Sequence, residues 1–372
     1  MTKTRNYKQM KFVIKLITAL SISLLFIGCN SSNKPAKGFE DEIFVVADSI
    51  EYSKFKDVLD STFEKIIYTP QPEKIFTLKR INPSQIEKYK RRKNIIIAAP
   101  LNSGSQTSQF ISAVVDSIVE KKLAKDQNFI VYKENLWAKN QLVAVLSASS
   151  IQNLRSKILQ NSDDLLYTFQ KFSDKRLFNS LYKAKYEQKG IEGKFLRDYG
   201  WIIYMQVDYH LALNKPEDNF VWLRRAPGSN MERWIFIHWI ENATPEYLNE
   251  DSIKVIRNRI TKKYYLTSDN LGYVVVAEDY FTINEVNFNG RYALFTQGLW
   301  DLNIKGMGGP FVNYVFYDED TRRLYMLDGS IFAPKYYKRN LIQQMDVTLQ
   351  SFQTENEITE ERKRELLNAI ED

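Results

Sequence analysis

The polar residues best placed to bind a ligand alternate along one predicted strand, residues 201–213. Side chains two residues apart in a strand share a face, so Asp208 and His210 are expected to point the same way. A short turn then returns the chain as the next strand. In one register of that strand Arg225 lies opposite Asp208, and in the register one residue away Arg224 lies opposite His210.

A guanidinium group beside this polar face would favour an anionic ligand. Arginine presents a fixed fork of donors that fits a carboxylate or a phosphate, and an aspartate can orient an adjacent histidine. Arg233 begins the following predicted strand and would add a further guanidinium at the same rim. The alternative is a solvent-facing sheet surface with an ordinary cross-strand ion pair, worth about 0.2–1 kcal/mol. The sequence is compatible with both interpretations.

Catalysis has little support in the sequence. It contains no G-x-S-x-G elbow, no H-E-x-x-H, no P-loop and no G-x-G-x-x-G after a predicted strand. One cysteine and two histidines argue against a cysteine-based zinc site and against histidine-rich metal chemistry. No catalytic residue, metal or cofactor is therefore assigned, and His238 is expected to be a core histidine. Paired carboxylates can still hydrolyse glycosidic bonds. The candidates for that role are Asp208, Glu278, Asp279 and Asp301.

Two sheet-and-helix units are predicted to position these residues in an α+β (mixed α/β) fold. Strands and helices alternate over residues 40–190, which indicates an α/β sandwich. Its strand NIIIAA, residues 94–99, is apolar on both faces and is expected to be interior. Residues 191–353 have longer, more aromatic strands and are predicted to form an antiparallel-rich α+β domain. The charged tail, residues 354–372, is expected to be a solvated or frayed helix.

The N-terminal segment predicts export and lipidation. Residues 11–28 form an apolar run that is preceded by basic residues and no acidic ones, and it is shorter than the ~20 residues that span a bilayer. The run ends in Leu25-Phe26-Ile27-Gly28-Cys29, which resembles a bacterial lipobox. We therefore expect residues 1–28 to be a signal peptide whose start is Met1 or Met10, and Cys29 to carry the lipid. Residues 29–39 are polar and are expected to be a flexible tether.

The charge of the chain is concentrated in that signal segment. The formal net charge of the 372 residues is +7, and five basic residues stand before Cys29, so the remainder carries only +2. Affinity for nucleic acid requires clustered lysine and arginine on the folded surface. The sequence therefore argues against a nucleic-acid partner.

Two further stretches carry a family resemblance. The residues NFVWLRRAPGSNMERWIFIHW at 219–239, and those from GRYALFTQGLWDL to FAPKYYKR at 290–339, resemble a Bacteroidota lipoprotein family catalogued as domain of unknown function 4837. The resemblance covers about Phe39 to Gln353. It implies an envelope lipoprotein and brings no reaction, ligand or catalytic residue.

These patterns favour a non-catalytic binding or assembly module. The expected location is the periplasmic face of the outer membrane, reached through the lipid on Cys29. The expected partners are the membrane itself and either an envelope protein or a small anionic ligand. The alternative is a carboxylate-dependent hydrolase that acts on a periplasmic or envelope polymer.

Overall fold

The structure is a computed structural model that describes residues 34–304 and 306–370. The predicted signal peptide and Cys29 lie outside the described residues. The helices are α1 (Ser49–Phe63), α2 (Ile86–Tyr89), α3 (Gln106–Val114), α4 (Ser117–Ala124), α5 (Ile151–Gln160), α6 (Ser162–Leu181), α7 (Lys189–Tyr199), α8 (Glu250–Tyr264), α9 (Arg339–Leu349) and α10 (Glu360–Asn368).

Sixteen strands are described, and most of them belong to two large sheets. They are β1 (Glu42–Val46), β2 (Ile66–Ile67), β3 (Glu73–Lys74), β4 (Thr77–Ile81), β5 (Asn94–Ala98), β6 (Ile130–Glu134), β7 (Leu142–Leu146), β8 (Trp201–Ile202), β9 (Tyr209–Lys215), β10 (Phe220–Arg225), β11 (Glu232–Ile240), β12 (Val274–Phe288), β13 (Arg291–Leu302), β14 (Gly308–Asp318), β15 (Arg323–Phe332) and β16 (Gln353–Thr354).

The first unit is a three-layer sandwich around a sheet of order β4-β1-β5-β7-β6. Its strands are parallel except for β6, which runs antiparallel to β7. Helices α1, α5 and α6 cover one face, and α3 and α4 cover the other. Because β5 is central and covered on both sides, Ile95, Ile96 and Ile97 are fully buried. The prediction that this run is interior is confirmed.

The second unit is an antiparallel sheet of order β12-β13-β14-β15-β11-β10-β9. Helix α8 packs on one face through Ile253 and Ile256. Helix α9 packs on the other face through Met345 and Leu349. Gly329 in β15 allows this packing, since a Cβ there would overlap the side chain of Met345. The fold is α+β with an antiparallel-rich second sheet, as predicted.

Helix α9 also joins the second unit to the first. The carboxylate of Glu73, in β3, accepts hydrogen bonds from the backbone N–H groups of Lys338 and Arg339 at 2.7–2.9 Å. These groups belong to the start of α9, where backbone donors have no partner within the helix. The Arg339 side chain donates in return to the carbonyl of Ile75 at 2.9 Å. A buried acid of one unit thus caps a helix of the other.

The charged tail packs against the second unit and is not the solvated or frayed helix that was expected. Leu366 of α10 is fully buried. Gly193 of α7 permits this close approach, because a Cβ there would overlap the carbonyl oxygen of Leu366. Arg362 forms ion pairs with Glu187 and Glu192 beside the same contact. The buried Leu366, the glycine in α7 and the ion pairs of Arg362 together dock a helix whose composition is mostly charged.

The segment expected to be a flexible tether is partly ordered. Within its described part, Ala36 N–H donates to the carbonyl of Lys139 at 2.9 Å, and Lys37 N–H donates to the carbonyl of Arg91 at 2.8 Å. Backbone pairing therefore attaches this segment to the first unit from residue 34 onward. The expectation of flexibility is wrong for residues 34–37.

Candidate functional site

The strand predicted over residues 201–213 is interrupted. Strand β8 ends at Ile202 and pairs with β16, apart from the large sheet. The chain then buries Ile203 and Met205 in the core and turns at residues 207–208 before β9 begins at Tyr209. The period-two alternation therefore does not connect Asp208 with His210, and their predicted common face is wrong.

Pairing of β9 with β10 divides the predicted polar cluster. His210 lies opposite Arg224, and Tyr209 lies opposite Arg225, which is the second of the two registers considered. Residues directly opposite in an antiparallel pair share a face, whereas consecutive residues do not. Arg224 and His210 therefore lie on one side of the sheet and Arg225 on the other. Asp208 forms an ion pair with Arg225, away from His210.

The three arginines of the predicted cluster are held by internal partners. Arg224 binds Glu232, Arg225 binds Asp208 and Gln206, and Arg233 donates to Gln344 at 2.9 Å. Arg233 is also buried. Arg233 lies directly opposite Arg225, so Asp208, Arg225 and Arg233 lie on one side of the sheet and His210 and Arg224 on the other. The five predicted residues therefore do not surround one ligand position.

A different set of side chains lines a cleft between the two units. Two adjoining cavities of about 400 and 710 Å³ share Asn289 and Gln350, and we call them together the inter-unit cleft. One side of the cleft is a single face of α6 and the residue after it, because spacings of three and four residues place side chains on one helix face. These residues are Tyr167, Lys171, Asp174, Phe178 and Tyr182.

The smaller cavity is built on stacked aromatic rings. The rings of Phe178 and Tyr182 are parallel, with centroids 3.9 Å apart, and the ring of Tyr204 follows at 4.1 Å. The hydroxyl of Tyr182 donates to the carbonyl of Val347 at 3.1 Å, which fixes the middle ring. Phe178 ends the stack and is 42% exposed. The cavity therefore offers an accessible aromatic face on a rigid support.

A buried carboxyl lies opposite this stack. Glu192 is 1% exposed, and its Oε1 accepts from the backbone N–H of Met205 at 2.8 Å. Its Oε2 accepts from Arg362, which also binds Glu187. Burial raises the pKa of Glu192, and the neighbouring Glu187 carboxylate acts in the same direction. Both carboxyl oxygens of Glu192 already accept hydrogen bonds from within the protein.

The larger cavity contains two further carboxyl groups, one from each unit. Oδ1 of Asp174 accepts from Gln343 at 2.7 Å, whereas Oδ1 of Asp346 accepts from the Tyr314 hydroxyl at 2.6 Å and from Gln350 at 2.9 Å. Burial, followed by repulsion from Asp346, raises the pKa of Asp174 to about 6. Burial also raises the pKa of Asp346.

Sequence reasoning missed this cleft although part of its signal was readable. The face of α6 follows from helical spacing alone, whereas the sequence analysis assigned this region only to the alternating strands and helices of residues 40–190. The carboxylates proposed for hydrolysis lie elsewhere: Glu278 is exposed, while Asp279 and Asp301 line a separate cavity beside Gly308. Over residues 34–304 and 306–370, no group of three or more acidic, histidine or cysteine side chains is arranged to hold a metal ion.

The fold and the cleft define a two-unit α+β protein with a cleft lined by polar and aromatic side chains at the junction of its units. Residues 187–351 match the family described as Domain of unknown function (DUF4837), which confirms the resemblance for that part of the chain. Residues 36–181 match a second family, Domain of unknown function (DUF8532), so the first unit is assigned separately. Neither description names an activity.

Solved structures offer only a distant likeness. The Ran-binding protein Mog1p of Saccharomyces cerevisiae is 9% identical, with 42% of this chain and 90% of that chain covered and a TM-score of 0.29. A variant of protein Mog1 gives the same identity and coverage with a TM-score of 0.28. No curated protein matches the chain. Among the described helices, none has both the length and the apolar character required to cross a membrane.

Proposed function

We propose that this protein is a lipid-anchored envelope protein of the outer membrane, facing the periplasm, and that it binds a glycan chain in the inter-unit cleft. The anchor is the lipid on Cys29, and the glycan is a polymer of the envelope in which the protein resides. The observation that carries the proposal is the single face of α6, which lines both cavities with aromatic and carboxyl side chains.

The surface next to the anchor supports attachment to a membrane. Backbone pairing gathers Lys34, Lys37, Arg91 and Lys139 around the start of the described chain. The three lysines are exposed. Basic side chains near a lipid surface are attracted to anionic headgroups, with about 1 kcal/mol per residue. This cluster would turn the first unit towards the bilayer that holds Cys29.

The lining of the cleft suits a sugar polymer. Sugar rings present C–H faces that pack on aromatic rings, and Phe178 offers such a ring at the surface of the cleft. Hydroxyl groups at the ring edges need hydrogen-bond partners. The side-chain oxygens of Asn289 and Gln350 can accept from them, while the NH2 groups of these amides already donate within the protein. A few polar groups placed around an apolar platform are typical of ligand sites.

Removal of the exposed ring tests the proposal. In purified full-length protein, Phe178→Ala should weaken binding of solubilised cell-wall glycan strands about tenfold, because the stacking surface is lost. Isothermal titration calorimetry gives the affinity. Phe39→Ala is the matched control, since Phe39 is 66% exposed and lies outside the cleft. Equal affinities of the two variants, or no binding by the unaltered protein, would refute the glycan site.

Hydrolysis of the bound glycan is a second candidate, favoured by the placement of Asp174 and Asp346 in one cavity. Asp174, with its raised pKa, would protonate the leaving oxygen, while Asp346 would take a proton from the attacking water. Reducing ends released from glycan strands would report this reaction. Their loss in Asp174→Asn, with unchanged glycan affinity, is the expected result for a hydrolase. Binding without any release of reducing ends would leave a binding protein only.

A further inference from the structure

A separate cavity lies on the opposite face of the second sheet from α9. It has a volume of about 560 Å³ and is bordered by α8, by the end of β11 and by the turn between β9 and β10. We call it the His238 cavity. It shares no lining residue with the inter-unit cleft. Its volume lies within the range of ~300–1,000 Å³ that accommodates small molecules.

His238 supplies an unused acceptor in the wall of this cavity. The residue is 6% exposed, and its Nδ1 lies 3.0 Å from the carbonyl oxygen of Asn219. Since a carbonyl oxygen can only accept, Nδ1 carries the proton. Burial, followed by the nearby Arg259, lowers the pKa of His238 to about 4, so the ring is neutral at pH 7 and Nε2 keeps its lone pair. Within the described chain, Nε2 has no hydrogen-bond partner. A buried acceptor without a donor is uncommon in folded proteins.

Arg259 supplies a positive charge at the same cavity. It lies on one face of α8 together with Ser252 and Val255, at helical spacing. No carboxylate in residues 34–304 or 306–370 forms an ion pair with it. The acids that border the cavity are already paired: Glu217 with Lys215, Asp218 with Lys263, and Glu241 with Arg323.

We infer that the His238 cavity binds a small organic anion that also carries a hydroxyl group. The guanidinium of Arg259 holds the carboxylate or phosphate group of this anion. The ligand hydroxyl donates to Nε2 of His238, which satisfies the buried acceptor. A ligand with both features can pair with both groups, whereas an anion without a donor leaves Nε2 unpaired and an uncharged alcohol gains no ion pair with Arg259. This site is independent of the glycan proposed for the inter-unit cleft.

The histidine content of the chain provides a direct probe. The protein has two histidines, His210 and His238, and His210 is exposed on β9. Nitrogen NMR of purified full-length protein labelled only at histidine therefore observes His238 in the cavity, with His210 as an internal control. L-malate should shift the Nε2 resonance of His238 and leave His210 unchanged. Succinate, which differs from malate by the missing hydroxyl, should bind more weakly and leave Nε2 of His238 nearly unmoved.

A pair of arginine variants tests the anionic contact. Arg259→Gln should weaken malate binding about tenfold, the effect expected for loss of a charged hydrogen bond. Arg364→Gln is the control, because Arg364 is an exposed arginine on α10, outside this cavity. Both positions are exposed, so both variants should fold. A His238 resonance unmoved by malate, equal responses to malate and succinate, or unchanged affinity in Arg259→Gln would each overturn the inference.

Discussion

Asp174 shows how the cleft sets the charge of a single side chain. Its carboxyl is partly enclosed between the two units and faces Asp346, so the ionised form is poorly hydrated and repelled. The pKa is therefore raised from 3.8 to about 6. A raised pKa in the folded state means that the group favours folding when protonated. This contribution is complete below about pH 4 and is lost as the pH rises through about 6.

Asp174→Asn should therefore stabilise the protein at neutral pH. At pH 7.5 the free energy of unfolding should increase by about 1–2 kcal/mol, a value reduced from the full pKa shift because the side chain is partly exposed. At pH 4 the difference should nearly vanish. Denaturant unfolding at the two pH values measures it. Asp163→Asn is the control, because Lys65 lowers the pKa of this exposed carboxyl and its removal should not stabilise. A gain that is equal at both pH values would contradict the assignment.

The sequence predicted the pairing of β9 with β10 better than it predicted which side chains share a face of the sheet. The sequence offered two registers for the β9–β10 hairpin, and the structure adopts the one with Arg224 opposite His210. The common face of Asp208 and His210 required an unbroken strand from residue 201. The break after Ile202 removes that premise, because a change of one residue in phase moves a side chain to the other face. Strand β8 pairs instead with β16, about 150 residues later in the chain, and local sequence does not reveal that partner.

Helix α10 shows that a few tertiary contacts can determine whether a charged helix is docked or solvated. Its composition predicts a solvated helix, and nine residues of largely charged sequence form a marginal helix alone. Packing of Leu366 against α7 and the ion pairs of Arg362 hold it in place. The partner helix is more than 160 residues earlier in the chain. Sequence periodicity near residue 366 therefore gives no indication of it.

Leu366 and Leu367 form a matched pair for testing this packing. Leu366→Ala should lower the free energy of unfolding by about 2–4 kcal/mol, because a fully buried leucine leaves a cavity. Leu367→Ala should change it by less than about 0.5 kcal/mol, since Leu367 is 39% exposed. Thermal or denaturant unfolding distinguishes the two. Similar small losses in both variants would mean that α10 is not docked on α7.

The central strand of the first unit was predictable because a run of consecutive apolar residues indicates its burial. The run NIIIAA is apolar at consecutive positions, which indicates a strand covered on both faces, and β5 has that position. The spacing along α6 is also visible in the local sequence. The cleft that this helix face lines is formed only when the second unit packs beside it. The opposite wall of the cleft belongs to the second unit and is formed mainly by the end of β12, with Tyr314 of β14 and Asp346 of α9. A site made by two units is visible only when both are folded together.

At the scale of the whole molecule, two features bear on how the proposed protein would be oriented at a membrane. The predicted lipid on Cys29 and the basic cluster around Lys37 and Lys139 would place one end of the first unit at the membrane. At ~3.3–3.6 Å per residue, the five residues from Cys29 to Lys34 reach less than about 20 Å. Under the proposed function, the inter-unit cleft would then be held in the same envelope compartment as its polymer.

The most direct test of the central claim is crosslinking in living cells from the cleft itself. A photoreactive phenylalanine analogue replaces Phe178 in the lipidated protein, and the same analogue at Phe39 serves as the control, because both rings are exposed and only Phe178 lines the cleft. Illumination should attach glycan to the protein from position 178 and not from position 39. The attached material should disappear after treatment with a glycan-degrading enzyme. Absence of glycan at position 178, or equal attachment at both positions, would contradict the proposal.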